Sequence, residues 1–241
     1  MGKILEIDNL TRRFGGITAV DECSFSVEDK LILGLIGPNG SGKTTVFNLI
    51  SGFLRPHGGK IYYKDVEITK LKPHEIARLG IGRTFQLIKL FNNMTVLDNM
   101  LAAGLRVYDW EEAVEKSLYF LEFVRLMPLK DELASNLSFG QQRLLEFARA
   151  LMTDPELILL DEPIAGVNPV MIKEMLNYIR RLNEERGKTF IVISHNMPVI
   201  ADVCEKVVVL DHGSKIMEGP PSSILKDTRV IDAYLGGAYV E

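Results

Sequence analysis

The sequence predicts an α/β fold, with an α/β core interrupted by a helical insert. Three observations carry this. Leu31–Ile36 and Leu157–Leu160 are continuous apolar runs of strand length, and helix-forming segments follow them. Strand-like and helix-like segments alternate towards both ends of the chain, while the middle is mainly helical. The 241 residues, 46% hydrophobic and 25% charged, suffice for a sizeable core, as one large domain or two small ones.

The elements follow in order. Ile4–Ile7, Cys23–Val27 and Leu31–Ile36 read as strands, and Thr45–Ile50 reads as the opening of a helix. Gly59–Tyr63 is a further strand, entered through the turn Pro56-His57-Gly58-Gly59. From Pro73 to Val124 the pattern is mainly helical, with loops at Phe91–Thr95 and around Asp109. In the segment Glu111–Phe123 and just beyond it, Val114, Leu118, Leu121 and Val124 fall on one helical face. Ser138–Met152 is a long helix with Ser138 as its N-cap. After Pro155 the alternation returns, with strand Leu157–Leu160, helix Pro169–Glu185 and strand Thr189–Ser194. Val207–Leu210 and Lys215–Met217 form a last hairpin, turned at Asp211-His212-Gly213-Ser214. The insert therefore lies between Gly59 and Pro155. The ending Gly236-Gly237-Ala238-Tyr239-Val240-Glu241 is short and Gly-rich and is expected to be mobile.

Charge and composition exclude several roles. A net charge of −4 gives no basic footprint for nucleic acid. Cys23 and Cys204 are far apart and form no CxxC pair, which fits two buried thiols in a reducing compartment. Met1-Gly2-Lys3-Ile4-Leu5-Glu6 carries neither the apolar stretch of a secretion leader nor, with Glu6, a myristoylation pattern. No apolar run approaches the ~20 residues that cross a bilayer, so membrane association is expected through partners.

Gly37-Pro38-Asn39-Gly40-Ser41-Gly42-Lys43-Thr44 matches the phosphate-binding pattern G-x-x-x-x-G-K-[ST] at every fixed position. It stands between a buried strand and a helix that opens at Thr45, where the chemistry needs it. Glycines let several backbone N–H groups converge on one anion, and the helix N-terminus adds its positive end. Lys43 supplies a point charge for the β- and γ-phosphates, and the Thr44 hydroxyl suits Mg²⁺. Leu157-Ile158-Leu159-Leu160-Asp161-Glu162-Pro163 is the second signal. A buried strand ends there in two carboxylates, at the end where parallel α/β sheets bind ligands. Asp161 can orient Mg²⁺ and its waters, and Glu162 can polarise an attacking water as general base. Alone, the pair would read as solvated acids capping a strand. Leu137-Ser138-Phe139-Gly140-Gln141-Gln142 is a third, where Ser138 and Gly140 open a helix able to meet an anion or simply to cap itself.

Together these residues resemble the ATP-binding subunits of ABC transporters over the whole chain. The order matches: phosphate loop 37–44, Gln86, an LSGGQ-type signature at 137–141, the Asp161-Glu162 strand end, a D-loop-like Ala165-Gly166-Val167-Asn168, and His195 closing a strand. Phe139 replaces the first glycine of the signature, while Ser138, Gly140 and Gln141 are kept. The resemblance implies a P-loop NTPase core with an antiparallel β subdomain. Residues 1–241 would form one nucleotide-binding domain, with the helical insert at about 87–153 by numbering. Two such domains would close head to tail around two ATP molecules, each held between one phosphate loop and the other subunit's Ser138-Phe139-Gly140-Gln141. Phe14 would stack on adenine, the alternative being a core residue beside a Gly turn, and Val20 would pack against base or ribose. Gln86 would reach Mg²⁺ and the attacking water. His195 would contact the γ-phosphate, and Asn168 belongs to the D-loop. Leu87, Ile88, Leu90, Phe91 and Met94 suit a docking surface for membrane partners, although Ile88 and Leu90 suit packing beneath the insert equally well.

The narrower resemblance is to the LivG-type ATPases of branched-chain amino-acid importers. It is carried by Arg83-Thr84-Phe85-Gln86, Leu90-Phe91-Asn92-Asn93-Met94-Thr95-Val96, Ala165-Gly166-Val167-Asn168-Pro169 and Val230-Ile231-Asp232-Ala233-Tyr234-Leu235-Gly236. Many members carry Glu before the histidine, where this chain has Ser194. Lipopolysaccharide-export and urea-import ATPases look similar. The resemblance implies an ATP- and Mg²⁺-dependent transport ATPase, cytoplasmic and peripheral on the inner face of the cell membrane. Its partners would be permease subunits and a second ATPase or a second copy of itself. Three other classes are disfavoured. A nucleic-acid or ribosome ATPase would want long coiled coils or tandem nucleotide domains. A regulatory module without turnover would lack Glu162. A nucleotide kinase would need neither Gln141 nor His195.

Overall fold

The computed structural model describes residues 2–224 and 226–236. The chain opens with a long antiparallel hairpin, β1 (Lys3–Phe14) and β2 (Ile17–Glu28). Both strands are longer than the apolar alternation suggests. Bulges between Ile7 and Leu10 and around Arg12 break the period of two, and Asn9 and Glu22 adopt φ of 47° and 44°. β3 (Ile32–Ile36) then runs into the glycine-rich loop, which opens α1 (Lys43–Ile50). β4 (Gly58–Tyr63) pairs with β1 and turns at Lys64-Asp65, both at positive φ, into the short β5 (Val66–Glu67). These strands make one four-stranded antiparallel sheet in the order β2-β1-β4-β5, which is the antiparallel subdomain implied by the resemblance.

The middle of the chain holds α2 (Pro73–Arg78), β6 (Ile81–Arg83), α3 (Val96–Gly104), α4 (Trp110–Phe123) and α5 (Phe139–Leu151). β6 adds a strand to the mainly helical reading of this region: three residues are too few for a visible alternation, yet they pair in parallel with the strand at Leu157–Leu159. α4 buries Ala113, Ser117, Phe120 and Leu121, whereas Val114 and Leu118 are only half-buried. The helix is rotated from the expected face because small residues let it approach α3 closely. A Cβ on Gly104 would lie 3.3 Å from the Ala113 Cβ and 2.6 Å from the Met152 Cε.

The remaining elements are β7 (Leu157–Asp161), α6 (Pro169–Arg186), β8 (Thr189–Ile193), α7 (Met197–Val203), β9 (Lys206–Asp211), β10 (Ser214–Gly219), α8 (Pro221–Ile224) and α9 (Thr228–Gly236). They complete a six-stranded sheet in the order β10-β9-β3-β8-β7-β6, parallel except for β10. The mobile ending expected at Gly236–Glu241 lies outside the described residues apart from Gly236. Among the described residues no helix is long and apolar enough to cross a membrane.

Two cores flank this sheet, and its strands feed them alternately. Ile32, Ile158, Leu160, Phe190, Val192, Val207 and Val209 join one cluster with α5 and α6. Leu33, Leu35, Leu157, Leu159, Ile191, Ile193, Val208 and Leu210 join the other with α1 and the antiparallel sheet. Strands buried on both faces read as unbroken apolar runs, which is why β3 and β7 are the clearest strands in the sequence. α5 is tied to the same core as β7, through Leu144, Leu145, Phe147, Ala148 and Leu151.

Candidate functional site

The loop between β3 and α1 is built for an anion. Gly37, Gly40 and Gly42 take φ of 150°, 80° and 101°. A Cβ on Gly42 would lie 2.4 Å from the Ala19 carbonyl oxygen, so only glycine fits there. Ser41 N–H donates to Pro38 O at 3.2 Å, and Gly213 N–H, from the β9–β10 turn, donates to Ser41 O at 3.1 Å. Lys43 Nζ donates to Gly37 O (2.8 Å), Pro38 O (2.7 Å) and Ser41 Oγ (3.2 Å), which aims its charge across the loop. Burial pulls the Lys43 pKa down, and the Glu162 and Asp161 carboxylates pull it back up.

Across the loop stand the ends of β6, β7 and β8. Asn39, Gly40, Gly42, Lys43, Thr44, Thr45, Gln86, Asp161 and Glu162 line a cavity of about 270 Å³. A neighbouring cleft of about 600 Å³ is lined by Gly37, Pro38, Asn39, Gln86, Glu162, Ala165, His195 and Tyr234. Asp161 is buried and neither carboxylate oxygen has a hydrogen-bond partner. Arg83 Nη2 approaches Oδ2 at 3.5 Å, but desolvation still raises the Asp161 pKa. Arg83 itself is fixed by Ser51 Oγ at 2.6 Å and lies over the rings of Phe47, Phe53 and Phe85. Glu162 has φ of 51°, a left-handed conformation uncommon outside glycine, which turns its side chain from the strand end into the cleft. His195 Nδ1 lies 3.0 Å from Glu162 Oε2, off the line of a hydrogen bond, so this oxygen has no donor. Buried carboxylate oxygens without donors are suited to a bound cation, a water or a ligand hydroxyl.

The chain therefore brings together Gly37–Thr45, Gln86, Asp161, Glu162 and His195. It does not bring the signature residues there. Ser138 caps α5 in a reciprocal pair, with Ser138 N–H donating to Gln141 Oε1 at 2.9 Å and Gln141 N–H donating to Ser138 Oγ at 3.4 Å. Phe139 is half exposed beside Gly166, where a Cβ would sit 3.0 Å from its ring. Asn168 caps α6 by accepting the Met171 N–H at 3.0 Å. Phe14 is 43% exposed beside the β1–β2 turn, with the Arg12 guanidinium 4.7 Å from its ring centroid, so it is not a core residue. Val20 corrects an expectation: it is fully buried in the antiparallel-sheet core because β2 turns it inward, and Ala19 lines the cavity instead.

The family model described as "ABC transporter" matches residues 20–165, and the model "Branched-chain amino acid ATP-binding cassette transporter" matches residues 214–240. This chain belongs to the ABC transporter ATP-binding family. It is 43% identical to the probable branched-chain amino acid transport ATP-binding protein LivG of Archaeoglobus fulgidus, over 97% of this chain and 96% of that one. It is 40% identical to the high-affinity branched-chain amino acid transport ATP-binding protein BraF of Pseudomonas aeruginosa, over 98% of each chain. Its fold matches the ADP conformation of MJ1267, an ATP-binding cassette of an ABC transporter, with a TM-score of 0.89 at 37% identity, covering 98% of this chain and 100% of that one. It also matches the dimeric bacterial ABC transporter cassette MJ0796, with a TM-score of 0.82 at 27% identity, covering 90% and 98%. The chain is accordingly an ATPase cassette of a transporter.

The ABC cassette also relies on residues that sequence patterns do not single out. Arg143 is buried on α5, donates to the carbonyls of Phe85 (2.9 Å) and Gln86 (2.5 Å), and pairs with Glu146 at 3.2 Å. Glu146 accepts the Lys89 N–H at 3.2 Å, and Arg149 donates to the Lys89 carbonyl. The loop carrying Gln86 is thus gripped by α5. Thr84 Oγ1 accepts the Asp161 N–H at 3.3 Å. The sequence signal for Arg143 is its spacing from Glu146, an opposite charge three residues on along the same buried helix face. Beyond Gln86, Leu87 and Phe91 are 79% and 53% exposed, while Leu90 packs against the large core.

Proposed function

We propose that this chain is the ATP-hydrolysing motor of an importer for branched-chain amino acids. The observation that carries the cargo is the match of its tail to the branched-chain cassette model, together with the names of its relatives. The loop amides after Gly37, the N-terminus of α1 and Lys43 bind the ATP phosphates. Thr44, Gln86 and Asp161 would hold Mg²⁺, and the donor-free Asp161 oxygens fit that role. Among the described residues no three His, Cys, Asp or Glu side chains could hold a metal together. Mg²⁺ bound there would supply positive charge that offsets the charge of the phosphates. Glu162 takes a proton from the attacking water as its oxygen bonds to the γ-phosphorus, and ADP leaves. His195, against Glu162 and open to the cleft, contacts the γ-phosphate. Phe14 stacks on adenine.

The signature residues Ser138, Phe139, Gly140 and Gln141 lie off this cleft and serve the second subunit's nucleotide in a head-to-tail pair, with Asn168 in the segment between. The second subunit is another copy or a related ATPase. Exposed Leu87 and Phe91 dock on integral membrane permease subunits, which holds the chain on the inner face of the cell membrane. Glu162→Gln tests the chemistry. ATP binding should persist while turnover falls about 10²- to 10⁴-fold, and rapid hydrolysis by the variant would remove Glu162 as the base. Co-purification from mild detergent tests the assembly. Two polytopic membrane proteins with a second ATPase are expected, and ribosomal or DNA-repair partners alone would overturn transport.

A further inference from the structure

Tyr234 belongs to the tail of the chain yet reaches the start of the phosphate loop. From α9 it lines the cleft shared by Pro38, Gln86, Glu162 and His195. Its hydroxyl oxygen accepts the Gly37 N–H at 2.7 Å. Gly37 follows the last paired residue of β3, since the ladder with β9 ends at Ile36 and Val209. The loop entry is crowded on its other sides. A Cβ at Gly37 would lie 2.1 Å from the Leu210 carbonyl oxygen and 2.6 Å from Ser41 Oγ. The Tyr234 hydroxyl therefore holds the Gly37 N–H where the loop leaves the sheet, while Lys43 Nζ holds the Gly37 carbonyl. Burial raises the Tyr234 pKa to about 12, with the Glu162 carboxylate adding to the rise, so the hydroxyl keeps its proton at neutral pH.

We propose that Tyr234 is a positioning residue for ATP hydrolysis: its bond to Gly37 lets the C-terminal helix set the phosphate loop, and with it the γ-phosphate, against Glu162. The proposal rests on the reading of Glu162 as the base. The amides that hold phosphate come after Gly37 and are several, so binding tolerates a loosened loop entry. Alignment for attack does not, since a displacement of about 1 Å can cost about 10²-fold in rate.

Tyr234→Phe in the full chain keeps the ring and removes only the acceptor. Turnover should fall about tenfold, a fraction of the loss of about 10²-fold that a displacement of about 1 Å can cause. The Kd for ATP should change less than about threefold and the melting temperature by no more than a few degrees, as expected when other amides and the ring's packing remain. Hydrogen exchange over the peptide containing Gly37 should quicken, a readout that ring packing alone would not move. Unchanged turnover, unchanged exchange, or a loss of turnover matched by an equal loss of ATP affinity would each overturn the proposal. Glu162→Gln run beside it separates the two ideas. Persistent turnover there removes the base assignment, while the exchange at Gly37 still reports whether Tyr234 holds the loop.

Discussion

Replacing Arg143 by Met probes the buried grip of α5 on the loop that carries Gln86. The Arg143 and Glu146 side chains are 5% and 4% exposed, and the variant leaves Glu146 with backbone N–H partners alone, Lys89 among them. It also strips two donors from the carbonyls of Phe85 and Gln86. Breaking a buried pair from one side costs about 3–5 kcal/mol. For a chain of this size each kcal/mol moves Tm by about 2–4 °C, so a fall of about 6–20 °C is expected. Arg143→Met with Glu146→Met should recover roughly half of that, because an apolar pair removes the stranded charge but not the unpaired backbone groups. The loss should also depend on pH. Desolvation raises the Glu146 pKa above its ordinary 4.5, and Arg143 holds that rise down. Without Arg143 the folded pKa rises further. The folded state then binds more protons than the unfolded one, so stability present below about 4.5 is lost as pH rises through the raised value. Thermal unfolding followed by circular dichroism at pH 5 and pH 8 measures both effects. A fall under about 3 °C, a double variant no better than the single, or a deficit that shrinks with rising pH would refute the reasoning.

Three further outcomes are expected. His195→Ala should slow turnover at least about tenfold while changing stability by less than about 0.5 kcal/mol, since that side chain is 71% exposed; steady-state hydrolysis and a thermal shift separate the two. Gly42→Ala meets a φ of 101° and the Ala19 carbonyl oxygen at 2.4 Å. It should cost about 1–3 kcal/mol and weaken ATP binding about tenfold or more by calorimetry, so a silent substitution would contradict the loop geometry. Cys23 and Cys204 are buried, with their pKa values raised to about 11 and about 12 by desolvation. Neither should react with a disulfide reagent at pH 8 until denaturant is added, and prompt labelling of the native chain would show the burial to be wrong.

The legible parts of this chain are those whose physics is local. The phosphate loop, the Asp161-Glu162 strand end and the Ser138 cap each need particular residues at fixed spacing, and the structure puts them where that spacing implies. The illegible parts depend on distant partners. β6 exists because β7 offers it a ladder, and its three residues carry no pattern of their own. Val20 reads as a possible base contact until the bulged register of β2 decides which way it faces. Arg143 and Tyr234 act on backbone groups 57 and 197 residues away, a separation no short motif can encode. The signature segment is readable as a helix start, but its distance from the cleft follows from the packing of α5 and not from its own residues.

The alternating allegiance of the sheet strands limits how this chain can change in length. Ile158 and Leu160 serve one core while Leu157 and Leu159 serve the other. Deleting a single residue early in β7 would send each of these side chains to the opposite face. It would also draw Asp161 back by about 3.3 Å and turn it away from Thr44. Drift by insertion and deletion is thereby confined to connections such as the β1–β2 turn and the stretch between α4 and α5. The spacing along β7 thus keeps both cores and the Asp161 carboxylate in register at once.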